Sequence, residues 1–401
     1  MLLPLLLLLL PAIMAAPAAS AAVSAGGGSV VAPPPAQPRM PMQTLGRSGL
    51  VVSRLSFGSW VTFSFQVGVN DAYTLMKAAY ARGVNFFDNA EAYARGRSEM
   101  IMGEAVARGI AEGVWTRSDL VITTKIFFGA VPEPGTASVN AKGLSRKHVV
   151  EGALASLKRL QLDYVDVIYA HRPDPVTPIE ETVRAFNHLI DRGLAFYWGT
   201  SEWSAAQIAE AAGVADRLGL IAPIAEQPEY NLFTRTRVEA EYEPLYHSRG
   251  LGLTTWSPLA SGILTGKYSG MKVPEGSRLT IATYKAIAQE KFGRDAWQVA
   301  AADEVVAIAR DVGCSAAQLA IAWALLNPHV STVILGATSV AQLEENLDAL
   351  RFVERITPEV RARLEAVGEG RGAPLFHDRV LQSHRERGTA ALANFAAGAG
   401  R

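Results

Sequence analysis

From about Thr44 onward the chain repeats one phrase: a short run of β-branched or aromatic residues, a polar loop, then an amphipathic segment. That is the βα alternation of a parallel α/β fold. Eight runs have strand character: LSFGSWV, GVNFFDNA, LVITTKIF, DYVDVIYAH, LAFYWGTSE, APIAEQPEY, LGLTTWSPLA and VSTVILGA. Eight βα units over roughly 250 residues or more match a (β/α)8 barrel better than a doubly wound sheet. The doubly wound alternative also lacks its fingerprint, since no G-x-G-x-x-G turn follows the first run.

The segments between the runs carry helix signals. Ser204-Ala-Ala-Gln207, Ser315-Ala-Ala-Gln318 and Ser339-Val-Ala-Gln342 each read as a capping box, in which the serine oxygen accepts a backbone N–H and the glutamine reaches back. Thr177-Pro178-Ile179-Glu180 predicts a helix with threonine as its cap and proline at the first helical position. After Ser145, the residues Val149, Val150, Ala153, Leu154, Leu157 and Leu160 fall at three- and four-residue spacing, one inward stripe. Two connections exceed ordinary length, FGAVPEPGTASVNAKGLS after the third strand and Ser261 to Gly313 after the seventh. Long connections in a compact domain are usually functional.

Composition narrows the picture. The 401 residues are 49% hydrophobic, enough for a sizeable core, and 38 basic residues balance 38 acidic ones. No overall field draws the chain to nucleic acid or to an acidic membrane face. The single cysteine, Cys314, excludes an intramolecular disulfide framework and a cysteine-based zinc cluster. Residues 1–42 read as a leader or upstream extension, 43–370 as the barrel and 371–401 as a tail. The leader begins with an apolar stretch, yet no Lys or Arg precedes Arg39 and Pro4 and Pro11 interrupt the run. A spanning helix is not expected there. Two readings stand, an atypical export signal or an extension upstream of a start at Met40 or Met42.

In a barrel of this kind the site is built from the C-terminal ends of several strands. Reading those ends gives Ser59 and Trp60, then Asp88, Lys125, His171, Ser201, Gln227, Trp256 with Ser257, and Gly336. Lys125 lies inside an apolar run, where an unpaired ammonium costs several kcal/mol and must find a partner or lose its proton. Asp88, on the neighbouring strand, is the obvious partner. A tyrosine hydroxyl near that lysine, such as Tyr93, is expected to have its pKa drawn below ~10 and to deliver a proton to a carbonyl oxygen. His171, from the next strand, can hydrogen-bond the same oxygen. Each of these residues alone has an ordinary structural role; their joint appearance at the ends of strands two, three and four singles them out. Carbonyl reduction needs a hydride that no side chain donates, which implies a nicotinamide cofactor.

With those residues in view, the sequence resembles the aldo-keto reductase superfamily. More narrowly, it resembles the branch containing the β subunits of voltage-gated potassium channels and their bacterial reductase relatives. The resemblance runs from about Gln43 to Gly368 through LGRSGLVVSRLSFGSWVTF, NFFDNAEAYARGRSE, LVITTKIF, GLSRKHVVEGALASLKRLQLDYVDVIYAHRPDP, TPIEETVRAF, YWGTSEWS, EQPEYN, TWSPLASGILTGKY and VILGATSVAQLEENL. It implies a (β/α)8 TIM barrel with an N-terminal β-hairpin and a long cofactor-covering loop after strand 7. It implies a catalytic tetrad of Asp88, Tyr93, Lys125 and His171 and a cofactor, NADPH/NADP+, that reduces small aldehydes or reactive ketones.

The cofactor contacts implied are Ser59, Trp60, Gln66, Asp88, Ser201, Gln227, Trp256, Ser257, Pro258, Leu259, Ala260, Ser261, Lys267, Arg278, Gly336, Thr338, Gln342, Glu345 and Asn346. Gln227 and Ser201 can hold the nicotinamide amide, and Arg278 can grip a 2′-phosphate in bidentate fashion, which favours NADPH. Two positions depart from the channel-subunit branch: Glu202 stands where an arginine is typical, and Gly276 where a tyrosine is. Either change is expected to loosen the cofactor. His171 stands where animal channel subunits typically carry asparagine. The branch also implies a homo-tetramer or octamer and, as the rival reading, an NADP(H)-binding channel partner or redox sensor with little turnover. An intracellular reductant argues for a cytoplasmic protein, export being the alternative if the apolar leader is a signal.

Overall fold

The computed structural model describes residues 39–60, 62–63, 67–130, 139–280, 284–293 and 295–367. The expectations for the leader before residue 39 and for the tail from residue 371 lie outside the described residues. The described chain opens with an antiparallel hairpin, β1 (Met42–Thr44) and β2 (Val51–Ser53), in which Gln43 pairs with Val52. Eight parallel strands follow, one from each predicted run: β3 (Leu55–Gly58), β4 (Phe86–Asp88), β5 (Val121–Ile126), β6 (Val165–Ala170), β7 (Ala195–Thr200), β8 (Ala225–Glu226), β9 (Gly252–Thr255) and β10 (Val330–Leu335). They pair in chain order, and β10 returns to β3 to close the barrel. A ring of helices surrounds it, as expected for a (β/α)8 TIM barrel.

Side-chain alternation explains why both faces of these strands are buried. On β5, Ile122 and Ile126 join the core between strands and helices, and on β6, Ile168 and Ala170 do the same. The intervening positions turn into the barrel. There Phe86, Val121, Val167, Tyr169 and Ala225 form a separate apolar cluster with Leu45 and Val52, so the hairpin stops the N-terminal end of the barrel. Each large side chain buried there contributes about 1.5–3 kcal/mol. Tyr169 reaches across the interior to Thr254, 3.2 Å from hydroxyl to hydroxyl. Its ring takes the space beside Gly199, where an added Cβ would lie 2.7 Å from the ring. Glycine is required at that position of β7.

The capping signals hold at two of three sites. Ser204 and Ser315 each accept from the glutamine N–H three residues on, and each glutamine reaches back. At the third, Ser339 accepts from the Gln342 N–H, but the Gln342 amide oxygen takes the Thr338 N–H and hydroxyl instead, each at 3.0 Å. Thr177 does not cap its helix either. The helix runs Ile179–Asp191 with Pro178 as cap, while the Thr177 hydroxyl donates to Asp174 at 2.8 Å. Asp174 already gathers the N–H groups of Leu144 and Val176, and a carboxylate is the stronger acceptor. In the helix Arg146–Leu160, Val149, Ala153, Leu157 and Leu160 are buried but Leu154 is exposed, its place on the inner face being taken by His148, Gly152 and Ser156. The connection after β9 is more structured than a loop, containing helices Lys285–Phe292 and Trp297–Val312. Among the described residues no single helix is long and apolar enough to cross a membrane.

Candidate active site

The alternation that fills the bottom of the barrel with apolar groups puts polar ones at its top. Two residues beyond Phe86 is Asp88; four beyond Val121 is Lys125; four beyond Val167 is His171. Lys125 is 0% exposed and Asp88 2%. The ammonium donates to Asp88 Oδ2 at 2.6 Å, to the Asn89 carbonyl at 2.7 Å and to the Tyr93 hydroxyl oxygen at 3.1 Å. Those three bonds use its three protons. Asp88 Oδ1 accepts from the Thr123 hydroxyl at 2.8 Å and from the Gln227 amide at 3.1 Å. Both ions are therefore saturated, the condition under which a buried pair is tolerated. Tyr93 begins a short turn after β4 whose next two residues, Ala94 and Arg95, take left-handed backbone. Its ring meets His171 edge-on, with centroids 5.8 Å apart.

Burial, followed by the Asp88 carboxylate, pushes the Tyr93 hydroxyl well above the ordinary phenol range, with Arg172 pulling the other way. The expected lowering by Lys125 is thus corrected: the lysine's charge is compensated by Asp88, and desolvation dominates. Burial also lowers Lys125, against the pull of Asp88. Burial first, then Arg172 and Lys125, hold His171 well below the ordinary imidazole range. It is neutral near pH 7, and its Nδ1 is buried without a hydrogen-bond partner. An imidazole with nothing for Nδ1–H to donate to is best satisfied with its proton on Nε2.

A cavity of about 810 Å³ opens above these residues, lined by Trp60, Asp88, Tyr93 and His171 and also by Thr338, Gln342, Glu345 and Asn346. Ser201, Gln227, Trp256, Ser257, Pro258, Leu259, Ser261, Lys267 and Gly336 line it too. Most of the predicted contacts are thus brought to one wall. Ser59 and Ala260 are not. Ser59 is buried and donates to the Asp88 carbonyl at 3.0 Å, and Ala260 is 2% exposed within its turn. Lys125 lies below the cavity floor. Gln66 and the side chain of Arg278 lie outside the described residues. Sequence reasoning does not single out Phe128, Arg172, Gly262, Thr265 and Tyr284, and reads Ser315 only as a helix cap, yet all six line the cavity. Of these, only Arg172 had a readable signal, a cation adjoining a strand-end histidine.

The lining offers cations, Lys267 and Arg172, and aromatic faces, Trp60 and Trp256, to a ligand. Gln227 spends its side-chain amide hydrogens on Asp88 and Thr254, which leaves its side-chain amide oxygen for the cavity, while the Ser201 hydroxyl donates to the Gln227 main-chain carbonyl and accepts from Arg172. After β9, left-handed backbone at Ser257, Ala260 and Ser261 folds the chain back along the wall. Gly262, at φ 90°, lets Lys267 cross close to it: an added Cβ would lie 3.2 Å from the ammonium.

The model of the Aldo/keto reductase family matches residues 54–369. The chain belongs to that family. A protein of Arabidopsis thaliana named "Probable voltage-gated potassium channel subunit beta" is 55% identical over 328 residues, 82% of this chain and 96% of its own length. A protein of Oryza sativa subsp. japonica with the same name is 54% identical over 328 residues, with the same coverage. In Schizosaccharomyces pombe, a "Putative voltage-gated potassium channel subunit beta" is 48% identical over 333 residues, 82% of this chain and 94% of its own.

Within this chain, the two departures noted in the sequence lie in different settings. Gly276 takes left-handed backbone at φ 72° on the cavity rim, with nothing within 4 Å of an added Cβ. Glu202 does not line the cavity; its carboxylate turns inward to Arg237, Trp256 and the Glu229 N–H.

Proposed function

We propose that this protein is an NADPH-dependent reductase of small aldehydes or reactive ketones. The observation that carries the reading is the saturated lysine. Because Lys125 donates to the Tyr93 oxygen and keeps no proton for anything else, the hydroxyl hydrogen of Tyr93 has to point away from it, toward the cavity. A phenol held above its usual range stays protonated at neutral pH, the form a proton donor needs. As charge develops on a carbonyl oxygen in the cavity, Tyr93 gives up that proton, and the Lys125 ammonium beside its oxygen stabilises the phenolate left behind. Asp88, held by Thr123 and Gln227, keeps the ammonium in register. Neutral His171 donates from Nε2 and orients the carbonyl without competing as an acid.

A bound NADPH supplies the hydride, which no side chain here can. The lining suits it: the Gln227 side-chain amide oxygen for the nicotinamide amide, Lys267 beside the Ser257–Gly262 turn for the phosphates, and Gln342, Glu345 and Asn346 for polar groups of the nucleotide. The relatives' names support a second reading, a β subunit of a potassium channel; on that reading the cavity would hold NADP(H) without sustained turnover. Oxidation of NADPH, followed by absorbance with a panel of small aldehydes and dicarbonyls, separates the two. Sustained multiple turnover is expected. A single stoichiometric turnover would overturn the reductase reading in favour of a binding subunit.

A further inference from the structure

The proposed chemistry makes no use of Glu202, although it is built into the structure at a cost. It is 3% exposed and sits at φ 60°, a left-handed conformation that a side chain other than glycine adopts only when its surroundings hold it there. Its Oε1 accepts from the Glu229 N–H at 2.6 Å and from the Trp256 indole N–H at 3.0 Å. Oε2 accepts from the Arg237 guanidinium at 2.9 Å, and the same guanidinium donates to the Glu202 carbonyl at 3.3 Å. Close by, burial pushes the Glu226 carboxyl up to about 8, with the Glu202 charge adding to it; of the two carboxyl groups, it is Glu202 that hydrogen-bonds Arg237.

These bonds join three successive strand ends. Ser201 and Glu202 follow β7, Gln227 and Glu229 follow β8, and Trp256 follows β9. Main-chain bonds already link them, Gln227 N–H to the Thr200 carbonyl at 2.8 Å and Trp256 N–H to the Pro228 carbonyl at 3.1 Å. What those bonds leave undetermined is the indole. Trp256 faces the cavity, meets Trp60 edge-on at 5.5 Å, and Trp60 in turn lies 6.4 Å from Tyr93.

We infer that Glu202 is a positioning residue for nucleotide binding: its buried carboxylate, clamped by Arg237, fixes the Trp256 indole and the Glu229 backbone. The wall carrying Ser201, Gln227 and Trp256 is then set before a ligand arrives. The inference rests on reading the cavity as the NADPH site. A wall ordered in advance spares the ligand the cost of ordering it, so the effect falls on affinity rather than on the chemical step.

The test compares the wild type with Glu202→Ala, Glu202→Gln, Trp256→Phe and the Glu202→Ala/Trp256→Phe double variant. NADPH Kd is measured by fluorescence titration and KM and kcat by turnover, with melting curves alongside. Glu202→Ala is expected to raise Kd and KM for NADPH about 10-fold, with a smaller fall in kcat. Glu202→Gln, which keeps an acceptor oxygen and is the variant to rely on if the alanine form fails to fold, is expected to raise them about 3-fold. In the Trp256→Phe background, which has no indole N–H, Glu202→Ala is expected to add less than about 3-fold. Kd values within about twofold of wild type in both Glu202 variants, or effects of Glu202→Ala and Trp256→Phe that simply multiply, would overturn the clamp alone. A wild-type protein that does not bind NADPH would overturn the nucleotide reading and the clamp with it.

Discussion

The two ends of the barrel use the same inward-facing register and reach opposite solutions. At the hairpin end, Phe86, Val121 and Val167 pack on Leu45 and Val52, and the interior is held by area removed from water. One turn of the pleat higher, Asp88, Thr123 and Lys125 occupy the same rows, and there burial is a cost that only mutual hydrogen bonding offsets. The difference teaches that buried positions in one barrel answer to different rules: volume at the bottom, saturation at the top. A loss at the bottom should weaken the whole fold evenly, whereas a loss at the top should leave a particular orphan behind.

The largest expected effect tests what the top is for. Tyr93→Phe keeps the ring against His171 and removes only the donor hydroxyl, so kcat/KM should fall about 10²–10⁴-fold. NADPH Kd should stay within about twofold, because the phenol hydrogen is aimed at the carbonyl rather than at the nucleotide. Unchanged turnover would sink the assignment of Tyr93 as the acid.

Stability then separates the two ends. Lys125→Met leaves Asp88 with Thr123 and Gln227 but no counter-ion, at a cost of about 3–5 kcal/mol near neutral pH. Phe86→Ala opens a cavity among the hairpin-end residues at a similar cost, about 3–5 kcal/mol. Denaturant midpoints measured near pH 7 and near pH 5 distinguish them. The Lys125→Met deficit should shrink at the lower pH, where the orphaned carboxylate takes a proton and ceases to be a buried charge. The Phe86→Ala deficit should not move, because no proton is involved. Two parallel pH dependences would show that the ends do not differ as argued.

How much of this was legible in the sequence follows from the same contrast. The eight strands and their inward rows were readable because alternation and turn chemistry are local. The partnership of Lys125 with Asp88 was readable because an unpaired buried ammonium is too costly to persist. The acidity of Tyr93 was not: its direction depends on how far burial outweighs a neighbouring cation, and that balance is three-dimensional. Ser59 and Ala260 are expected cofactor contacts only through the resemblance; in the fold the Ser59 hydroxyl donates to the Asp88 carbonyl and Ala260 packs in the buried core. The role of Glu202 was hidden because its partner Arg237 lies 35 residues away, at the start of a short π-helical turn, Arg237–Glu241.

The smallest expected effect concerns His171, where the comparison can be read by titration alone. Burial, with Arg172 and Lys125 alongside, depresses its pKa in the folded protein, whereas in the unfolded chain it takes a proton near 6.5. Below that pH the unfolded state binds the proton that the folded state refuses. Stability from this group is therefore complete above about pH 6.5 and is lost as pH falls, at up to about 1.4 kcal/mol per unit. His171→Asn removes the titration. The wild type should be the more acid-labile of the two, and the gap between their denaturation midpoints should be nearly constant from about pH 8 to about pH 7 and change steadily as the pH falls from about 6.5 to about 5. Phe86→Ala, at the other end of the same strands, should run parallel to the wild type over that range. If His171→Asn runs parallel as well, the imidazole is not held neutral by its surroundings, and its role as a neutral donor from Nε2 falls with that result.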